Sequence, residues 1–571
     1  MRDPIFDPIV INQLNIKNRI YMPAMHLGMA VDYEVSDPLV EFYAERARGG
    51  AGLICVGYAT VDELSGNTTN IGAHQDAFIP GLTRLAKAIN ENGACSAVQI
   101  NHAGRYNFSF FLNGQQPVAP SAIASRMTKE TPHALTLDEI HQIIDNFARA
   151  AGRVQAAGFD AVEILSGTGY LISEFLSPLT NQREDDYGGD LKSRMRFGLE
   201  VMQAIRSTVG ADYPVIVRMN GNDFMVDGQD RKELQVYAKA LQEEGRVDAL
   251  SINVGWHEAR VPQITTAVPR GAFAYLARAI KTQVTIPVIY GHRVNDPGTA
   301  RELILDDMCD MVAMGRSLIA DPYLPEKTRQ NHEKQIVHCV ACAQGCFDNL
   351  FKLKSVECLC NPRAGHEGEC PETAKTETPK TIMVVGGGAA GMRAALTASE
   401  RGHVVHLYEA SRQLGGQLYL AAAPPGRAEF AELARDLAVQ VSLSPINVHL
   451  NTVVDEALIR SNPPDHIIIA TGARPVTPPI PGIDGANVVQ AWDVLRNRAH
   501  TGKKVVIVGG GAVGVEVALF LAEKGTLSGE TLKFLMVNKE EPMDELYNLA
   551  INVTKEVVLI EMIDRIGEGL G

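Results

Sequence analysis

The stretch TLDEIHQIIDNFARAAGRVQAAGFDAVEILSGTGY, Thr136 to Tyr170, decides how the N-terminal half of the chain is read. Thr136 and Glu139 stand in the Thr-x-x-Glu spacing of a capping box, in which each side chain satisfies a backbone N–H at a helix start. Ile140, Ile143, Ile144, Phe147 and Ala151 then recur at helical spacing. The apolar run 161–167 follows and passes into a Gly-Thr-Gly-Tyr loop. A capped helix feeding a short buried run is half of a β/α unit. Working outward, similar apolar runs lie at 20–25, 52–59, 95–101, 214–220, 249–254, 287–291 and 311–315, making eight in all, with helical patterns between them. Alternating β and α units over this length predict a (β/α)8 barrel.

A barrel places its functional side chains at the C-terminal ends of the strands. Polar residues gather there: Gln99 and His102, Glu163 and Ser166, Arg218, His257, Arg293 and Arg316. Tyr170 follows the fourth run and His257 the sixth, so a phenol and an imidazole are expected at one mouth, where they could deliver and relay a proton. The plain alternative is that Tyr170 only packs and His257 only fixes a loop.

Between this half and the C-terminal segment lie Cys339, Cys342, Cys346 and Cys358, with gaps of two, three and eleven residues. Thiolates at that spacing suit an iron–sulfur cluster, and a structural zinc site is the alternative. Cys360 competes as the fourth ligand, and Cys370 is a weaker candidate. Cys55, Cys95 and Cys309 fall in apolar barrel segments and read as packing residues. Residues 371–379 read as a linker.

Two glycine fingerprints follow. Residues 380–385 lead into Gly386, Gly388, Ala390 and Gly391. Residues 505–508 lead into Gly509, Gly511 and Gly514. Each follows an apolar strand and opens a helix, the context in which pyrophosphate sits against N–H groups at a helix N-terminus. Glu409 ends the next strand of the first copy, and Glu561 that of the second, both placed to accept ribose hydroxyls. A carboxylate at 561 favours NADH over NADPH, and Arg565 nearby pulls the other way. Gln417 follows Gly415 and Gly416. The chain ends soon after the second strand of the last fold, so a truncated domain is expected.

With 571 residues, 46% of them apolar, the chain has material for several cores without disulfides. A net charge of −14 argues against a nucleic-acid partner. Nine cysteines, an odd number and partly clustered, indicate a reducing compartment, and a cytoplasmic location is expected. No apolar stretch of about 18 residues suggests a membrane span.

At these residues the chain resembles the bacterial 2,4-dienoyl-CoA reductase family, with trimethylamine dehydrogenase and the bile-acid enone reductases as cousins and old yellow enzyme-type barrels in common. The likeness rests on His102-Ala103-Gly104-Arg105, Gly169-Tyr170-Leu171-Ile172, residues 181–196, Gly-Trp-His-Glu-Ala-Arg at 255–260, the four cysteines, and Asn361-Pro362-Arg363-Ala364. It implies four segments: an FMN-binding TIM barrel at 1–330, a [4Fe-4S] segment at 331–376, an FAD-binding Rossmann-like domain at 377–500, and a partial NAD(P)H-binding domain at 501–571. It implies FMN contacts at Pro23, Ala24, Met25, Gly57, Gln99 and Arg218, with the phosphate at Arg293, Gly315 and Arg316. It makes Tyr170 the proton donor and His257 its partner. The implied reaction passes electrons from NADH or NADPH through FAD and the cluster to FMN, then to a conjugated C=C of an unsaturated acyl-CoA. A cyclic or aryl dienoyl-CoA, a steroid enone, or an electron-transfer role without its own substrate are the alternatives. Ser166 and Gly169 stand where simple old yellow enzymes carry a carbonyl-gripping His pair, and no cysteine lies near Met25 for a covalent flavin link. Residues 525–555 resemble the bile-acid and clostridial enoate branch. Oligomeric state is left open.

Overall fold

The computed structural model describes residues 3–369, 374–552 and 554–567. It divides into two compact units, Met1–Pro371 and Glu372–Gly571. In the first unit, eight parallel strands close on themselves: β1 Ile20–Met22, β2 Leu53–Thr60, β3 Cys95–Asn101, β4 Ala161–Ser166, β5 Val215–Asn220, β6 Ala249–Asn253, β7 Val288–Tyr290 and β8 Met311–Ala313. Each pairs with its sequence neighbour, and β8 pairs with β1 to complete the ring. This is the (β/α)8 barrel that the alternating pattern predicts.

Seven of the connecting helices are α1 Asp37–Arg48, α2 Ile79–Glu91, α3 Leu137–Ala156, α4 Leu191–Val209, α5 Arg231–Glu243, α6 Ala274–Lys281 and α7 Pro297–Leu305. Their starts are written locally. Thr136 Oγ1 accepts from the Glu139 N–H, and Glu139 returns a carboxylate to the Thr136 N–H at 2.7 Å, which completes the capping box of α3. Asp230 accepts from the N–H groups of Lys232 and Glu233 at the head of α5.

The apolar runs look continuous in sequence because both strand faces are buried. Period-two alternation divides them. Tyr21, Leu53, Cys55, Ala97, Ala161, Ile216, Ala249, Ile289 and Met311 form one core inside the barrel. Ile20, Ile54, Val98, Val162, Val217, Leu250 and Val312 join a second core with the helices outside. The strands stop short of several apolar runs. β1 ends at Met22 because Pro23 has no N–H to give the ladder.

The cysteine segment packs on the barrel. The Val356 N–H donates to Leu27 O at 2.8 Å, and Asn361 Nδ2 to Ile319 O at 2.9 Å. Arg363 pairs with Glu45 of α1 at 3.0 Å, and the buried Arg46 of α1 pairs with the buried Glu367. Cys370 lies outside the described residues.

The second unit holds a four-stranded parallel sheet and a separate strand pair. The sheet is built from β9 Thr381–Val385, β10 Val404–Tyr408, β11 Asn447–His449 and β12 His466–Ile469, in the order β11-β10-β9-β12. β13 Lys504–Val508 and β14 Glu556–Ile560 form the pair. Among the described residues, no helix is long and apolar enough to cross a membrane.

Candidate functional site

The inward positions of the barrel strands change character toward their C-terminal ends. Above the apolar layer come Gly57, Gln99, Glu163, Arg218 and Ser251. Gly57 stands level with Gln99, Gln99 with Glu163, and Arg218 with Ser251. Glu163 is fully buried below the mouth. It accepts from the Tyr21 hydroxyl at 2.7 Å and from Gln99 Nε2 at 2.7 Å. Burial raises its pKa, and the Arg218 charge opposes that rise.

Over this layer opens a cavity of about 360 Å³. Pro23, Ala24, Met25, Gly57, Gln99, Arg218, Arg293, Gly315 and Arg316 all line it, together with Tyr170 and His257. Arg218 is held by Ala24 O and Asn253 Oδ1, each at 3.1 Å. The rings of Tyr170 and His257 meet edge to face with centroids 5.2 Å apart. Burial, eased by the Arg218 charge, pushes the Tyr170 phenol up to about 12, so it keeps its proton. His257 is exposed and lines the cavity. Desolvation, then Arg218, bring its pKa down to about 4, against the pull of Glu258. The imidazole is therefore neutral near pH 7.

Not every polar strand end reaches this cavity. Ser166 falls on the outer face of β4 by parity and bonds the Tyr237 hydroxyl of α5 at 2.9 Å. His102 is buried beside Asp62, 3.4 Å away. Glu163 lies below the mouth. The cavity wall also includes residues that strand-end reading overlooks: His26, Tyr58, Thr168, Ser251, Asn253 and His292. Inward parity could have found Ser251 and Asn253, whereas His26 and His292 sit in loops that no periodicity reaches.

The lining fits FMN. Among the described residues, Arg316 Nη1 and His292 Nδ1 are buried without a protein partner. A Cβ on Gly315 would come within 2.8 Å of Met25 Sδ and 3.1 Å of Pro23 Cγ, so a side chain there would push Met25 into the cavity wall. Arg293 and Arg316 supply cationic donors of the kind a phosphate requires.

A second, smaller cavity is lined by Cys339, Cys342, Cys346 and Cys358, with Cys360 beside them. Arg316, Ile319 and Cys346 belong to the walls of both cavities. Burial pushes the Cys346 thiol up to about 12, and the Arg316 charge acts against that rise. A hydrogen bond from Cys360 draws the Cys358 thiol down. Among the described residues, no three His, Cys, Asp or Glu side chains are placed to hold a single metal ion.

In the second unit the glycines divide by role. A Cβ on Gly391 would lie 1.8 Å from Gly386 O, and one on Gly514 would lie 1.8 Å from Gly509 O, so both are needed for helix–strand contact. Among the described residues, a Cβ on Gly388 or Gly511 would meet nothing within 4 Å, which leaves open space over each turn where a pyrophosphate would lie. Ala390 is in the first turn of the helix Ala389–Glu400. Glu409 accepts from the Gly387 N–H at 2.7 Å, and Glu561 from the Gly510 N–H at 2.6 Å, so each carboxylate stands beside its fingerprint. Gln417 Nε2 donates to Ala473 O at 2.8 Å.

The NADH:flavin oxidoreductase / NADH oxidase family model matches residues 4–335. The pyridine nucleotide-disulphide oxidoreductase model matches residues 380–571. Together they support FMN in the barrel and FAD and NAD(P) binding in the C-terminal segment. The chain is 49% identical to a metal reductase of Desulforamulus reducens, over 99% of this chain and 85% of that protein. It is 33% identical to a cinnamate reductase of Clostridium sporogenes, over 91% of this chain and 81% of that protein. The solved structure of 2-naphthoyl-CoA reductase with 2-naphthoyl-CoA superposes with a TM-score of 0.89 at 31% identity, covering 100% of this chain and 95% of that one.

Proposed function

This chain belongs to the NADH:flavin oxidoreductase / NADH oxidase family, and from that premise we propose that it reduces the C=C bond of an enoate or an unsaturated acyl thioester, with a 2,4-dienoyl-CoA as the leading candidate. One observation carries the reading. A protonated phenol and a neutral imidazole meet at the mouth of a cavity floored by Arg218 and Gln99, and that cavity shares a wall with four clustered thiols.

When bound, the two flavins would supply hydride chemistry and a [4Fe-4S] cluster single-electron transfer between them. The residues of the chain do the rest. Arg218 and Gln99 would hold the isoalloxazine, while Arg293, Arg316 and the backbone of Gly315 would hold the phosphate. Cys339, Cys342, Cys346 and Cys358 would ligate the cluster. Tyr170 gives its proton to the carbon that becomes carbanionic, and its high pKa keeps that proton available through neutral pH. His257, neutral beside it, relays a solvent proton to the phenolate, taking one at one ring nitrogen as it gives one from the other. Gly386, Gly388, Ala390, Gly391, Glu409 and Gln417 hold FAD. Gly509, Gly511, Gly514 and Glu561 hold the nicotinamide nucleotide, NADH in preference to NADPH.

Tyr170→Phe separates the half-reactions. Reduction of the flavins by NADH should stay within about twofold of wild type, while reoxidation by substrate slows at least about a hundredfold. Stopped-flow absorbance reads both, with cinnamate, 2-naphthoyl-CoA and a 2,4-dienoyl-CoA as substrates. An equal fall in both half-reactions would remove Tyr170 from its role. The likeness to a metal reductase favours a second reading, direct reduction of a metal complex. A one-electron acceptor needs no proton donor, so a ferric chelate should be reduced equally by wild type and Tyr170→Phe.

A further inference from the structure

Behind the cavity wall runs a chain of hydrogen bonds with a fixed direction. Its origin is Asp223, 2% exposed, in the loop between β5 and α5. A carboxylate only accepts, so it takes the Nδ2 donor of Asn220 at 2.8 Å. The Asn220 oxygen must then point the other way. It accepts from the Thr168 N–H at 3.1 Å and from Asn253 Nδ2 at 3.3 Å. With its nitrogen used, Asn253 presents its oxygen to Arg218 at 3.1 Å. The order of donors along Asp223, Asn220, Asn253 and Arg218 thus follows from the acceptor at its head.

The same loop ties two others together. The N–H groups of Gly255 and Trp256 donate to Asn222 O and Asp223 O at 2.9 and 3.1 Å, and the His257 N–H donates to Thr168 O at 3.2 Å. Thr168 sits at φ +61°, an unfavourable region for a β-branched residue, so it needs holding. A Cβ on Gly167 would lie 2.7 Å from Asn220 Oδ1, which shows how closely the strand-four loop is pressed against this amide. Tyr170 and His257 leave from these two loops.

We propose that Asp223 is a positioning residue. Its carboxylate orients the Asn220–Asn253–Arg218 relay toward FMN and sets the spacing of the loops that carry Tyr170 and His257. The inference rests on reading the cavity as the FMN site. The donors to Asp223 are uncharged: Asn220 at the end of β5 and the Gln229 N–H of the loop. The charged neighbour is Glu233 of α5, itself paired with Arg194 of α4 at 3.0 Å. Burial raises the Asp223 carboxyl to about 7, and the hydrogen bond from Asn220 pulls it back. Around the cavity, His26 and His257 are held near 4 and His292 near 3, mainly by desolvation, so none of them changes charge in the neutral range.

The test is fluorescence titration of the flavin-depleted full chain with FMN from pH 5.5 to 8.5. Wild type should bind about tenfold more tightly at the alkaline end. Asp223→Asn, which cannot act as a pure acceptor, should bind about tenfold more weakly at pH 8.5 and lose the extra slope. Curvature shared by both proteins belongs to the FMN phosphate. If Asp223→Asn shows wild-type affinity and wild-type slope, Asp223 only fills space and the relay is wrong. Arg218→Ala guards the premise: if it binds FMN as wild type does, the cavity is not the FMN site and the relay falls with it. Wild type titrated with riboflavin, which has no phosphate, shows the Asp223 slope without a variant, so a misfolded substitution leaves the test intact.

Discussion

Glu367→Ala is expected to loosen the cysteine segment from the barrel. Arg46, fully buried on α1, donates to Phe42 O at 2.8 Å and Leu318 O at 3.2 Å, and its guanidinium lies 3.5 Å from the centre of the Phe42 ring. Desolvation lowers its pKa, and the Glu367 carboxylate is the main counterweight. Glu367, with a side chain only 2% exposed, also accepts from the Gly365 N–H at 3.0 Å. Removing it strands a buried cation and one N–H, which costs about 3–5 kcal/mol. The surviving carbonyl acceptors favour the lower end, about 3 kcal/mol. In a domain of this size each kcal/mol moves the thermal midpoint by about 2 °C, so a fall of about 6 °C is expected. Thermal unfolding followed by release of flavin fluorescence reads the barrel unit. The double variant Arg46→Met/Glu367→Leu replaces the ions with apolar side chains of similar bulk and should recover most of the loss. A shift below about 1 °C in the single variant would refute the argument. So would a double variant no better than the single.

Two other outcomes follow from buried or anchored carboxylates. Because the folded Asp223 holds its proton up to about pH 7, against 3.8 in an unfolded chain, its burial cost is absent below pH 4 and grows as pH rises through 7. In the flavin-depleted chain, Asp223→Asn should therefore match wild-type stability at pH 4 and exceed it at pH 8, by up to about 4 kcal/mol. Matched denaturation curves at the two pH values check the sign, and a stability gain confined to acid pH contradicts it. Glu561, whose pKa the backbone N–H groups of Gly510, Met562 and Ile563 hold down, is expected to set nucleotide choice. Glu561→Ala should lower kcat/KM for NADH about tenfold while changing NADPH little. Steady-state kinetics with both nucleotides measure this, and an unchanged ratio removes Glu561 from that role.

Much of the fold is legible because it is written in local terms. The α3 capping box needs only Thr136 and Glu139. Buried parallel strands need only short apolar runs between helical patterns, and the β3 run matches its strand at both ends. The fingerprint glycines are equally local, since a strand–turn–helix passes close to itself within a few residues. The cavity lining was partly readable for the same reason: inward positions at strand ends include Gln99 and Arg218.

What the one-dimensional pattern withholds is direction and company. Ser166 and Arg218 look equivalent as polar strand ends, yet one faces Tyr237 outside the barrel and the other the cavity, because closing the ring assigns each parity a side. Nothing near Asp223 in sequence marks it as the head of a relay. Its relay joins β5, β6 and the loop after β4, which meet only when the barrel closes. The shared wall at Arg316 and Cys346 likewise exists only in three dimensions. The sequence by itself determined which segments form strands, helices and nucleotide turns, because backbone hydrogen bonding and hydrophobic periodicity act over a few residues. Tertiary structure alone decided which side chains share a cavity and which charges lie buried together, because desolvation and hydrogen-bond direction depend on neighbours far away in the chain.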